Sequence, residues 1–412
     1  MNSHYVPQLS LRRFGDRICT YNIKTGQYLE NVRTDRAFCE KGFYSDDVET
    51  QLNRRIEIQF ANLFNNKLNK CEKEIEINRD ELRLIKKFLL ISVIRSQGNE
   101  EFMAVERKFY DRLREGVSQI TRKLDISEQD AKRATELNNL DPPFIEKEIP
   151  GETNFDYWMR TLNVILDSDG TPEDILKHPN KTYPAHRWAQ VINNGYVAFW
   201  DSEYNHNEFI ITDVGMTSEN EKGWNGITVH NLKKTDFLWS LMTLEKDQNM
   251  QMEIYKTIKM HSCFSENFMM FPISANRMIV EIDPFYKFRE TYKWRYKMPG
   301  LKDLTLLNNE ELYFPNEAKY FLPQPHDGHS PVYHKNDKYI YKIKQLTSAE
   351  TQYCNALFLD RINTYCGFSS LNKAVRSIIH YKRLNEPPYV PRVDYTDLYK
   401  IIEQRYGGNI NV

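Results

Sequence analysis

Tyr196-Val197-Ala198-Phe199-Trp200, followed by Phe209-Ile210-Ile211-Thr212, is where the apolar pattern of this chain changes from the period of a helix to that of a strand. Both runs are short and rich in aromatic and β-branched residues, which suit a half-buried pleated surface. Phe268-Met269-Met270-Phe271 and Met278-Ile279-Val280-Glu281-Ile282 repeat the pattern, and together the four runs predict a central antiparallel sheet. Outward from them the helical period returns. Upstream, Asp47 to Lys70 sets Leu52, Ile56, Phe60 and Leu63 near one stripe. Asp80 to Gln97 is apolar on most of its later turns, as at the centre of a bundle, and Gly98-Asn99 stops it. Residues 100 to 140 read as two amphipathic helices, the second with a capping box at Ser127-Glu128-Gln129-Asp130, and Asp141-Pro142-Pro143 closes them. Helices follow from Asn154 to Leu166 and from Thr171-Pro172-Glu173-Asp174, where Pro occupies the first helical position.

Further along, a helical stretch is expected near 245 to 260 and a short helix or bent segment at 284 to 297. Residues 298 to 345, rich in Pro, Asn, Asp and His, read as an irregular connection with a hairpin at Pro331 to Ile343. Helices then run from Ser348 to Tyr365, Leu371 to Arg383 and Tyr395 to Arg405. Near the start, Arg17 to Ile23 and Gly26 to Leu29 alternate around Lys24-Thr25-Gly26, a hairpin signal. The expected class is α+β: mostly helical, with a central antiparallel sheet and a small N-terminal hairpin. The expected division is 1–285, holding a helical bundle at 47–180 and the sheet at 195–285, then a basic-aromatic and irregular segment at 286–345, then C-terminal helices at 346–412.

The chain has 412 residues, 40% hydrophobic and 27% charged, an ordinary globular composition with room for two cores. A net charge of −1 gives no global attraction to nucleic acid, so any such binding needs a local patch. Tyr and Phe number 25 and 22, enough to pack a core and to stack bases. Six cysteines without short paired spacings read as reduced thiols, which points to the cytoplasm. No apolar run approaches the roughly 20 residues that span a bilayer.

The N-terminus, Met1-Asn2-Ser3-His4-Tyr5-Val6-Pro7-Gln8-Leu9-Ser10-Leu11-Arg12-Arg13-Phe14, crowds a histidine, a glutamine and two arginines into a short apolar run. It lacks the long apolar core and cleavage site of a targeting peptide. Pro7 holds Val6 extended, so the run reads as an arm with His4, Val6 and Gln8 on one face and Tyr5, Pro7 and Leu9 on the other.

This opening, with the turn Tyr21-Asn22-Ile23-Lys24-Thr25-Gly26, resembles that of the domain-of-unknown-function-4238 family, the HYVPQ-type proteins. Phe43-Tyr44-Ser45, Arg95-Ser96-Gln97, Ile210-Ile211-Thr212-Asp213 and Pro272-Ile273-Ser274-Ala275-Asn276 extend the likeness. It covers roughly residues 4 to 285 and the helices from 347 to 383. Val214 stands where Asn usually follows the Asp, and Ala275 where Pro usually follows the Ser. The resemblance implies a family and no particular reaction.

The polar set His4, Gln8, Arg12, Arg95, Gln97, Asp213, Ser274 and Asn276 is the candidate site, because its members fall at element ends, where function is usually mounted. Imidazole titrates near neutral pH, so His4 suits a general acid or base. Arg12 and Arg95 suit phosphate, Gln97 and Asn276 a base edge or amide, and Asp213 the orienting of His4 or a metal. The plainer reading is that these groups satisfy buried backbone and pin the arm. In Tyr286-Lys287-Phe288-Arg289-Glu290-Thr291-Tyr292-Lys293-Trp294-Arg295-Tyr296-Lys297, Lys287, Arg289, Lys293, Arg295 and Lys297 with Trp294 suit single-stranded nucleic acid; a segment packing its rings inward fits as well. His326-Asp327-Gly328-His329 with His334 lacks the spacing of a zinc site. There is no Walker loop, no Gly-x-Gly-x-x-Gly and no nucleophile elbow, and Arg376 to His380 is one residue short of the helical RNase spacing.

The leading expectation is a cytoplasmic effector acting on nucleic acid or a nucleotide, an RNase-like phosphodiesterase in a defence or toxin role. His4 is its acid or base and Asp213 its orienter. Gln8, Arg12, Arg95, Gln97, Ser274 and Asn276 contact the substrate. The alternative is a non-catalytic sensor of a small anionic ligand or nucleotide, and whether the chain is an enzyme stays open between them. The expected partner is RNA or a nucleotide, without a membrane. No cofactor is called for, a divalent metal is left open, and so is the oligomeric state.

Overall fold

The period-two runs become strands of two sheets instead of one. The computed structural model describes residues 2–4, 6–41, 45–95, 149–167, 171–177, 183–203, 207–220, 267–282, 338–384 and 391–407. In chain order the strands are β1 Asn2–His4, β2 Arg17–Asn22, β3 Gln27–Arg33, β4 Cys39–Lys41, β5 Glu74–Asn78, β6 Tyr196–Asp201, β7 Ile211–Thr212, β8 Thr217–Asn220, β9 Asn267–Pro272, β10 Arg277–Ile282, β11 Lys338–Gln345 and β12 Tyr365–Phe368. The helices are α1 Gln8–Leu11, α2 Asp46–Leu52, α3 Ile58–Leu63, α4 Arg79–Arg95, α5 Asn154–Asp167, α6 Pro172–Lys177, α7 Tyr183–Asn194, α8 Ser348–Leu359, α9 Leu371–Arg383 and α10 Thr396–Tyr406. π-turns at Asn53–Glu57 and Phe64–Leu68 make α2 and α3 one continuous rod.

A six-stranded sheet runs β5-β11-β6-β10-β9-β8, and a four-stranded sheet β3-β2-β12-β7. The expectation of one antiparallel sheet needs two corrections. First, β11 lies parallel to β6, with Ile343 beside Phe199, so the larger sheet is mixed. Second, the run 209–212 leaves that sheet. Phe209 N–H donates to the Ala275 carbonyl (2.7 Å) and Ile210 N–H to the Asn355 side chain (2.8 Å), so only Ile211–Thr212 pairs, and it pairs with β12. The α+β class is observed.

β5 was not foreseen, although Glu74-Ile75-Glu76-Ile77 alternates strictly: both Ile are fully buried and both Glu exposed. Directly after it, Asn78 and Glu81 cap α4 reciprocally. Glu81 N–H donates to Asn78 Oδ1 (2.9 Å) and Asn78 N–H to a Glu81 carboxylate oxygen (2.8 Å). The helix expected to reach Tyr365 stops at Leu359, because the chain beyond it is drawn into β12 between β2 and β7. Tyr21, Ile210, Leu359, Phe368, Ile378 and Tyr395 meet in the core beneath the smaller sheet.

The chain forms two contact units. One joins Met1–Gln97, Asn194–Trp224 and Glu266–Val412 and holds every strand described; the other joins Gly98–Asn193 and Asn225–Ser265. Of the second, α5, α6 and α7 up to Asn193 are described, and α5 buries Tyr157, Trp158, Leu162, Ile165 and Leu166. The helices expected over 100–140 and near 245 to 260 lie outside the described residues. Among the described residues no helix is long and apolar enough to cross a membrane.

Candidate functional site

The N-terminal arm is a strand and then a short helix, not one extended run. β1 pairs antiparallel with β4, His4 opposite Cys39. Val6 and Pro7 are buried, and the chain then turns into α1, with Ser10 N–H on the Pro7 carbonyl (2.9 Å). The alternation that put His4 and Gln8 on one face therefore ends at Pro7, whose fixed φ suits the entry to a helical turn.

Three stretches that carry the family resemblance meet here. Val6, Leu11 and Phe14 from the arm pack with Ile211 and Ala275, beside Ile18, Ala37 and Phe38. Backbone joins them too, since Ala275 N–H donates to the Arg13 carbonyl (3.5 Å). Gly215 turns beneath the arm with φ +73°, and a side chain there would press on Val6. Gly367 of β12 is needed for clearance: a Cβ on it would lie 2.9 Å from the Phe38 ring.

The polar candidates divide by what they touch. Arg12 is exposed and donates from Nη2 to Gln8 Oε1 (3.1 Å) across one helical turn. Its neighbour Arg13 is the arginine that faces the protein, with its guanidinium 4.0 Å over the Phe64 ring and a hydrogen bond to Asn65 Oδ1; burial lowers its pKa. Ser274 Oγ accepts from the N–H groups of Asn276 (3.3 Å) and Arg277 (2.9 Å), closing the turn between β9 and β10. The Asn276 Oδ1 and Thr212 Oγ1 atoms are buried and make no hydrogen bond among the described residues. Arg95 is fully buried and ion-paired to Glu57 and, at 3.3 Å, to Glu49. Gln97, the basic-aromatic segment from Lys287 to Lys297 and the histidines from His326 to His334 lie outside the described residues. Among the described residues no cluster of three His, Cys, Asp or Glu could hold a metal.

Asp213 is fully buried, and backbone amides occupy both its oxygens: Asn363 N–H on Oδ1 (3.1 Å), Thr364 (2.7 Å) and Tyr365 (3.0 Å) on Oδ2. Glu208 does the same beyond the other end of β12, accepting from the amides of Ser369 (2.7 Å) and Ser370 (3.2 Å) and from the Ser369 hydroxyl. Two buried carboxylates thus bracket β12. Asn355 of α8 adds a third tie, donating to the Glu208 carbonyl (2.7 Å) and to Ser377 Oγ (2.8 Å). Burial raises the pKa of Glu208, and raises that of Asp213 to about 6 despite its three amide donors.

That rise has a consequence for stability. As pH falls through 6 the folded chain takes up a proton at Asp213 that the unfolded chain takes only near 3.8, so this group stabilises the fold towards acid. The stability of the wild type relative to Asp213→Asn, measured by urea denaturation, is expected to rise by about 2 kcal/mol between pH 7 and pH 4. A difference that stays flat over that range would rule the linkage out.

Glu208, Arg13 and Asn355 escaped the sequence reading, where the signal is a charge or amide within or at the edge of an apolar run. A family model described as "Protein of unknown function (DUF4238)" matches residues 2–365. No curated protein and no solved structure matches the chain.

Proposed function

The chain belongs to the DUF4238 family of unknown function, and from the site itself we propose that it is an effector acting on nucleic acid or a nucleotide, with the N-terminal arm as its phosphate-binding face. The observation that carries this reading is Arg12. It stays exposed, braced by Gln8, where three family stretches converge, whereas Arg95 is consumed by two carboxylates. The buried, unbonded Asn276 Oδ1 lies next to Ala275 of that same cluster and suits a ligand donor.

In the catalytic form of the reading the reaction is RNA cleavage. His4 takes the proton of a ribose 2′-hydroxyl, the 2′-oxygen bonds to phosphorus and the P–O5′ bond breaks. The leaving oxygen takes a proton from solvent, and a 2′,3′-cyclic phosphate remains. Arg12 would neutralise the charge building on the phosphate. Incubation with total RNA, single-stranded DNA and a nucleotide panel in chelator tests it. Cyclic-phosphate ends on RNA and no cut in DNA are expected, with the rate about 10²–10⁴-fold lower for His4→Ala. Equal cleavage by that variant would remove His4 from the chemistry.

One observation favours the second reading, a non-catalytic sensor of an anionic ligand. Asp213, the orienter that the sequence offers His4, has both oxygens on backbone amides. A nucleotide bound without turnover, and lost in Arg12→Ala, would select it.

A further inference from the structure

Helix α9, Leu371–Arg383, carries Lys373, Arg376, Lys382 and Arg383 and no acidic residue, in a chain whose net charge is −1. Its buried face is Leu371, Ala374, Val375, Ser377, Ile378 and Tyr381. At 3.6 residues per turn, Lys373, Arg376, His380 and Arg383 fall within about 80° of one another on the opposite side, roughly a turn apart. Arg383 is exposed and the other three are half-buried. Lys382 lies off this stripe, 3.4 Å from Glu403 and over the Tyr399 ring, whereas no ion pair reaches Arg376 or Arg383 among the described residues. Burial lowers the pKa of His380, and Arg383 beside it adds to the shift.

We propose that this stripe is a track for the backbone phosphates of single-stranded RNA. The inference rests on the nucleic-acid reading above and adds where on the chain the strand runs. Lys373, Arg376 and Arg383 set cations along one side of the helix, where they meet the charges of a polyanion in succession, and binding follows from counterion release. An acidic protein partner fits less well. A protein interface has an apolar centre, and the exposed large hydrophobics among the described residues, Leu29, Ile58, Ile149 and Phe155, all lie off this helix.

The test is the salt dependence of binding to a labelled, 2′-O-methylated oligonucleotide, which has no free 2′-hydroxyl to attack. Arg376→Gln/Arg383→Gln is expected to weaken binding about tenfold or more and to reduce the slope of log K against log salt by about 1.4, two contacts on a single strand. Lys382→Gln, on the same helix but off the stripe, is expected to keep the wild-type slope; an equal loss there would overturn the track by showing a general charge effect. If the double variant keeps the wild-type slope while Arg12→Ala loses binding, the track falls and the arm survives. If the double variant loses slope while Arg12→Ala behaves as wild type, the track stands and the arm falls. A wild-type protein that binds no oligonucleotide overturns both.

Discussion

Arg277→Met is expected to lower the free energy of unfolding by about 3–5 kcal/mol, the usual result of removing one partner of a buried ion pair. Arg277 is buried, and its guanidinium joins three parts of the chain. Nε and Nη2 grip the two oxygens of Asp201 at 2.6 Å each, across the β6–β10 register. The Cys71 carbonyl accepts from Nη2 at 2.8 Å, and the Leu68 carbonyl, at the end of the helical rod, accepts from Nη1. Methionine fills much of the volume and leaves a carboxylate and two carbonyls without these donors. Arg277→Lys keeps the charge but not the planar fork, so denaturant titration should place it between wild type and Arg277→Met. A loss under 1 kcal/mol for the methionine variant would mean that the fork is not what holds the rod to the sheet.

Arg95→Leu is expected to cost a similar 3–5 kcal/mol, and it decides between two roles for one residue. As a phosphate ligand, Arg95 would be lost from binding while the fold kept its melting temperature. Its wholly buried guanidinium, set between Glu49 of α2 and Glu57 of the following π-turn, predicts the reverse. Leucine would leave two carboxylates facing an apolar side chain, and the destabilisation should appear in the absence of any ligand. Calorimetry beside a binding titration separates the cases. An unchanged melting temperature with lost affinity would return Arg95 to the site.

What could be read from the residues follows the range of the force involved. Helices whose apolar stripe and caps are local came out nearly to the residue, as at Asn154–Asp167 and Leu371–Arg383. The N-terminal hairpin did too, because a Thr-Gly turn between alternating runs specifies its own register. Glu74–Asn78 was legible by its alternation and lost between two stronger helical signals. The candidate site divided the same way. The family likeness picks out stretches of sequence, and Val6, Ile211 and Ala275 from three of them pack together. Which arginine of the Arg12-Arg13 pair faces solvent did not, since it depends on the Phe64 ring some fifty residues away.

By itself the sequence determined the α+β class, the family, most helix positions and the N-terminal hairpin, all properties of local periodicity, turn chemistry or likeness. Only the tertiary structure decided the rest: the splitting of the four central strand runs between two sheets, the parallel pairing of β11 with β6, and the duties of Asp213 and Glu208 at the two ends of β12. A carboxylate looks the same in sequence whether it meets a substrate or three backbone amides. The difference lies in which distant peptide groups the fold brings within hydrogen-bonding distance of it, about 150 residues along the chain for Asp213 and about 160 for Glu208.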